Sequence, residues 1–109
     1  MLDCRECDIN AMTDSTTVAN FAKKLVKDID MIAYGEPQIV NFGSGAAQGF
    51  TLVQLIETSN VCAHFANGPR EIYLDVFSCK YFNQDIVIDL VNLYFKPQGV
   101  KVNYVTRQA

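Results

Sequence analysis

The feature that most narrows the fold is a run of three strand-like segments joined by connections too short to hold a helix. Phe50 to Glu57, Asn60 to Phe65 and Glu71 to Cys79 are rich in β-branched and aromatic residues, and only Thr58-Ser59 separates the first from the second. Asn67-Gly68-Pro69 is a turn signal between the second and third. Strands joined this tightly pair antiparallel, since a parallel crossover needs about a dozen residues or more. Upstream, Met1 to Cys4 fits a short strand and Asp8 to Thr13 reads as a connection. Asp14 and Ser15 are N-cap residues for a helix on which Val18, Phe21, Ala22, Leu25, Val26 and Ile29 recur at helical spacing, with Lys23, Lys24, Lys27 and Asp28 opposite. Gly35-Glu36-Pro37 ends the connection that follows, Gln38 to Phe42 is a strand, and Gly43 to Ala47 is a loop. Gln84 to Phe95 predicts a second helix built on Val87, Leu90, Val91 and Tyr94. Lys96-Pro97-Gln98-Gly99 stops it, and Val100 to Thr106 alternates as a last strand. The order β-α-β-β-β-β-α-β predicts an α+β two-layer sandwich, a mostly antiparallel sheet with two helices on one face.

The 109 residues make one domain, 1–109. With 50% hydrophobic residues in so small a unit, the sheet face without helices is expected to be buried on a second copy, giving a homodimer. Nine Lys and Arg are scattered through a chain of net charge −3, which lacks the concentrated positive footprint of a nucleic-acid binder. No apolar stretch reaches the roughly 20 residues of a membrane span, and no basic-then-apolar leader signals export. Cys4, Cys7, Cys62 and Cys79 are therefore expected as reduced thiols in a cytoplasmic protein. Cys4-Arg5-Glu6-Cys7 has the spacing of a metal or redox pair. It lacks the second pair of a zinc site, and no helix opens directly behind it, so it reads as two small residues at a strand end. The glycines from Gly43 to Gly45 lack the lysine and helix start of a phosphate loop.

Two-residue hairpin connections favour Asn-Gly or Asp-Gly because their φ is positive, which a β-branched threonine resists. A tight hairpin would therefore strain the Thr58–Ser59 bond, with a hydroxyl nucleophile one residue past the carbonyl. Attack by Ser59 Oγ on the Thr58 carbonyl would give an ester. β-Elimination would then split the chain and leave a dehydroalanine that hydrolyses to a pyruvoyl group at position 59. On pattern alone the plainer reading, a slightly longer turn carrying two polar residues, stands ahead of a reactive bond. The same hairpin sets Glu57 opposite Asn60, Leu55 opposite Cys62 and Val53 opposite His64. Alternation then puts Thr51, Val53, Leu55 and Glu57 on one face with Asn60, Cys62 and His64. Thr51 falls diagonal to His64, the only histidine, and both are expected beside the Thr58–Ser59 bond.

Residues 55–79, LIETSNVCAHFANGPREIYLDVFSC, resemble the core of the small-chain bacterial and archaeal S-adenosylmethionine decarboxylases. In that family the cleavage serine stands five residues before a histidine and twenty before a cysteine, and Ser59, His64 and Cys79 keep both separations. Thr51 fills the place of a hydroxyl residue eight before the serine, and weaker similarity covers nearly the whole chain. The resemblance implies a self-processing decarboxylase that acts on S-adenosylmethionine and feeds spermidine synthesis. Its cofactor is a pyruvoyl group made from Ser59 by cleavage between Thr58 and Ser59, and nothing requires a metal. Thr51 and His64 would assist processing, and Cys79 would donate the proton in turnover. Substrate contacts fall to Glu57 and Phe50, with Phe42 and Phe65 as other aromatic candidates. The chain departs from the family pattern with Thr58 where glutamate is usual, Asn60 where histidine is usual, Gly68 where an acidic residue holds ribose hydroxyls, and Gly45 where an aromatic stacks on adenine. Relatives also carry several more residues ahead of Met1-Leu2-Asp3. The missing nucleoside contacts leave ornithine or arginine open as substrates. The changes around Ser59 leave open an unprocessed, catalytically silent regulatory homologue.

Overall fold

The computed structural model describes residues 1–107, with the side chain of Phe42 outside the described set. In chain order the elements are β1 (Leu2–Arg5), α1 (Ile9–Met12), α2 (Ser15–Asp28), β2 (Ala33–Phe42), a 3-10 turn (Gly45–Ala47), β3 (Gly49–Ile56), β4 (Ser59–Ala66), β5 (Glu71–Ser78), α3 (Gln84–Phe95) and β6 (Gly99–Val102). The strands form one sheet in the order β2-β3-β4-β5-β1-β6, and every neighbouring pair is antiparallel. The α+β two-layer fold is therefore as the sequence predicts, with three helices rather than two.

The additional helix, α1, is one turn in the segment expected as a connection. Asp8 caps it by accepting from the Asn10 N–H, and Met12 from this turn is fully buried. Asp14 caps α2 through the Thr16 N–H, and Val18, Phe21, Ala22, Leu25 and Val26 go under it as the helical spacing requires. In α3 the buried set is Val87, Leu90, Val91 and Phe95. Phe95, not Tyr94, takes the central place. It stands edge-on to Phe21 at 5.0 Å and to Phe65 at 5.4 Å between ring centres, while Tyr94 packs at the margin.

Two strand boundaries also differ from expectation. β2 begins at Ala33, and Gly35-Glu36-Pro37 is a bulge inside this edge strand, with the register against β3 shifting between Tyr34 and Gln38. Pro37 has no N–H to give a ladder, and Gly35 takes a φ of +72°, so both suit a bulge. The buried Gln54 amide on β3 fills the gap, donating to Gly35 O at 3.2 Å and Leu55 O at 2.8 Å. β6 stops at Val102 rather than Thr106. The core lies between the helices and one sheet face, where Leu52, Ile56, Val61, Ala63, Phe65, Ile72 and Leu74 are buried. The opposite face carries no helix and exposes Val40, Leu55, Tyr73 and Phe77. No helix among the described residues is long and apolar enough to cross a membrane.

Candidate active site

The β3–β4 hairpin turns at Glu57-Thr58, one residue earlier than the sequence predicts. Ile56 pairs with Ser59, Leu55 with Asn60, Val53 with Cys62 and Thr51 with His64. The register thus differs from expectation by two residues, and Glu57 is an exposed turn residue that does not oppose Asn60. Side chains alternate with period two, so this shift leaves every other facing intact. The expected torsional strain is also relocated. Thr58 has no positive φ, whereas Ser59 has φ 157°, a value that residues with a Cβ rarely adopt.

Ser59 opens β4 opposite Ser78, the last residue of β5, so Cys79 follows directly beside it. The Ser59 Oγ to Cys79 Sγ distance is 3.8 Å, and the Cys79 N–H donates to the Thr58 carbonyl at 2.9 Å. The Thr58 side chain is held as well, with Oγ1 at 2.9 Å from Ser78 Oγ and 3.2 Å from Met31 Sδ. Ser78 and Met31 were not foreseen from sequence. Ser78 had one available signal, its place before Cys79. Met31 had none, because only the fold brings it across 27 residues to Thr58.

Thr51 and His64 meet at the other end of the hairpin. Thr51 Oγ1 lies 2.9 Å from His64 Nδ1, and His64 Nε2 lies 2.8 Å from Ala47 O. A carbonyl only accepts, so Nε2 carries the proton, and in the neutral ring Nδ1 accepts from the Thr51 hydroxyl. Both residues sit in a transverse row on the helix-free face, Val40–Thr51–His64–Tyr73–Asp3–Lys101. His64 is five residues from Ser59 along one strand, about 16 Å at roughly 3.3 Å per residue. One chain therefore brings Ser59 to Cys79 and Thr51 to His64, but not the two pairs to each other. The expectation that Thr51 and His64 lie beside the Thr58–Ser59 bond does not hold within a single chain.

The aromatic candidates are also placed differently. Phe65 is fully buried on the helix side, and Phe50 is half-buried against the same core, so neither shares the face of Thr51 and His64. The side chain of Phe42 lies outside the described set. Phe77, opposite Asn60, is an exposed aromatic one pair along from Ser59, with the Arg107 guanidinium 5.0 Å from its ring centre. At Gly68 a Cβ would lie 3.0 Å from Ala46 Cα, so the 43–47 segment closes over the position.

Cys4 and Cys7 are buried. Burial pushes their thiols up to about 12 and about 11, so both stay protonated and poorly nucleophilic at neutral pH. Burial, then the Asp75 carboxylate, raises the Cys62 thiol too. Among the described residues no group of three or more His, Cys, Asp or Glu gathers to hold a metal ion.

A family model described as S-adenosylmethionine decarboxylase matches residues 1–108. Among solved structures, the chain is similar to the adenosylmethionine decarboxylase from Aquifex aeolicus, with TM-score 0.75 and 15% identity over 98% of this chain and 92% of that chain. At that identity the likeness bears on the fold alone. No curated protein matches the sequence.

Proposed function

Because the chain belongs to the S-adenosylmethionine decarboxylase family, we propose that it cleaves itself between Thr58 and Ser59 and decarboxylates S-adenosylmethionine on the pyruvoyl group so formed, for spermidine synthesis. The observation that carries this reading is the grip on the Thr58 carbonyl, 2.9 Å from the Cys79 N–H, with Ser59 Oγ next in the chain. Negative charge develops on that oxygen as Ser59 Oγ adds to the carbonyl carbon, and an aimed N–H stabilises it. The C–N bond then breaks, leaving the ester and a free amine. Removal of the Ser59 Cα proton expels the Thr58 carboxylate. The dehydroalanine left at position 59 tautomerises to an imine, and one water hydrolyses it, supplying the ketone oxygen and releasing ammonia, which completes the pyruvoyl group. The residues present fit that group, since Cys79 Sγ lies 3.8 Å from the Ser59 side chain, where a proton donor is needed. When formed, the group supplies an electron sink for loss of carbon dioxide from an amino-acid substrate.

The imidazole that suits proton removal is about 16 Å away in the same chain, which supports assembly of two copies through the helix-free face. A two-fold axis crossing β4 midway between Ser59 and His64, near Cys62, turns the strand end over end. It brings His64 of the partner subunit to the Ser59 end of β4. The exposed Val40, Leu55, Tyr73 and Phe77 would be covered by the same contact. The four free cysteines accord with a cytoplasmic enzyme.

A second reading, a smaller substrate such as ornithine or arginine, draws on Ala46 packed over Gly68, where a Cβ would lie 3.0 Å from Ala46 Cα and an acidic side chain would need the 43–47 segment to shift. Cyanoborohydride reduction in the presence of each amino acid, followed by mass spectrometry, decides between them. An adduct of S-adenosylmethionine on the fragment starting at residue 59 is the expected result. An adduct with ornithine or arginine alone would favour the smaller substrate, and an uncut chain with no adduct would favour a silent homologue.

A further inference from the structure

We infer that Ser78 is a positioning residue for self-cleavage, the middle link of a directed hydrogen-bond chain that locks Thr58; this rests on the self-processing reading above. The Lys80 N–H donates to Ser78 Oγ at 3.0 Å, Ser78 Oγ lies 2.9 Å from Thr58 Oγ1, and Thr58 Oγ1 lies 3.2 Å from Met31 Sδ. A backbone N–H only donates and a thioether only accepts, so the chain starts at Lys80 and ends at Met31. Met31 Sδ is 3.7 Å from Ser78 Oγ but 3.2 Å from Thr58 Oγ1, so the shorter contacts run from Ser78 to Thr58 and from Thr58 to Met31. The Thr58 side chain is thereby held in one rotamer while its carbonyl is held by the next residue along, Cys79. Three consecutive residues, 78 to 80, clamp both ends of the residue that contributes the reacting carbonyl. Such a clamp fixes the angle at which Ser59 Oγ meets the carbonyl carbon. It also gives Thr58 a task that a longer acidic side chain in its place would not perform through these partners.

The test is the rate at which freshly purified full-length chain splits, followed by intact mass. Ser78→Ala is expected to slow splitting about 2- to 10-fold, the span of one neutral hydrogen bond. Ser78→Thr, which keeps the hydroxyl, should restore most of the rate. Thr58→Val should slow splitting to a similar degree, and the Ser78→Ala/Thr58→Val pair no further than either alone, since both break one chain. An unchanged rate in Ser78→Ala, failure of threonine to rescue, or multiplying effects in the pair would overturn the clamp while leaving self-cleavage standing. A wild-type chain that never splits would overturn the underlying reading along with it.

Discussion

The roughly 16 Å between Ser59 and His64 has a consequence that two disabled chains can expose. Ser59→Ala removes the nucleophile and His64→Ala removes the imidazole, so neither chain alone should split at an appreciable rate. Loss of a positioned acid–base group costs about 10²- to 10⁴-fold. In a mixed dimer with a two-fold axis near Cys62, Ser59 of the His64→Ala chain faces His64 of the Ser59→Ala partner. Random pairing at equal expression makes about half the His64→Ala chains members of such dimers. Co-expression with different tags, followed by intact mass of each tagged chain, should therefore show about half of the His64→Ala chains split and the Ser59→Ala chains whole. If the His64→Ala chains stay whole in the mixture, or split as fast alone, His64 does not act on Ser59 of the partner subunit.

Thr51→Val removes the donor to His64 Nδ1 but leaves the Nε2–H on Ala47 O, so splitting should slow only about 2- to 10-fold, far less than in His64→Ala. Equal losses in the two variants would mean that the Thr51 hydroxyl does more than orient the ring. Cys79→Ala keeps the backbone N–H on the Thr58 carbonyl, so the chain should still split, while turnover falls about 10²- to 10⁴-fold. A failure to split would instead place the thiol in processing. Cys4 and Cys7 titrate near 9.0 when exposed but at about 12 and about 11 in the fold, so above pH 9 the folded state holds protons that the unfolded chain has lost. Their contribution to stability is intact below pH 9 and is lost as pH rises through 11 to 12. Urea unfolding above pH 9 should weaken less steeply with pH in Cys4→Ala, and an unaltered slope would detach the decline from that thiol. At Gly49 an added Cβ would lie 1.7 Å from Phe65 O, so Gly49→Ala must push β3 off β4 beside His64. It should lower the unfolding midpoint, and an unchanged midpoint would refute that packing.

Periodicity made the sheet and α2 and α3 legible in the sequence, because their buried faces repeat over many residues. It failed where a single tertiary contact decides. Met12 is buried through one helical turn, too short to show a period, and the Gln54 amide that fills the bulge at Gly35-Glu36-Pro37 reaches it only across the β2–β3 pairing. The facing of Thr51 with His64 was readable because an error of two residues in register preserves parity. The separation of His64 from Ser59 was equally available, since five strand residues cannot fold back on themselves. Spacing in a motif is not proximity in space. Phe50 and Phe65 lie on the core side of the sheet, which aromatic character alone does not reveal, since it does not say which face a strand buries. The Ser78–Thr58–Met31 chain depends on atoms from three elements, and no local pattern encodes it.

Intact mass spectrometry of the purified protein decides whether the chain cleaves itself between Thr58 and Ser59. Self-processing predicts two chains, residues 1–58 ending in a free carboxylate and a second from residue 59 that is lighter by one ammonia than a fragment beginning with serine. A single uncut mass, or a second fragment beginning with intact Ser59, would contradict it.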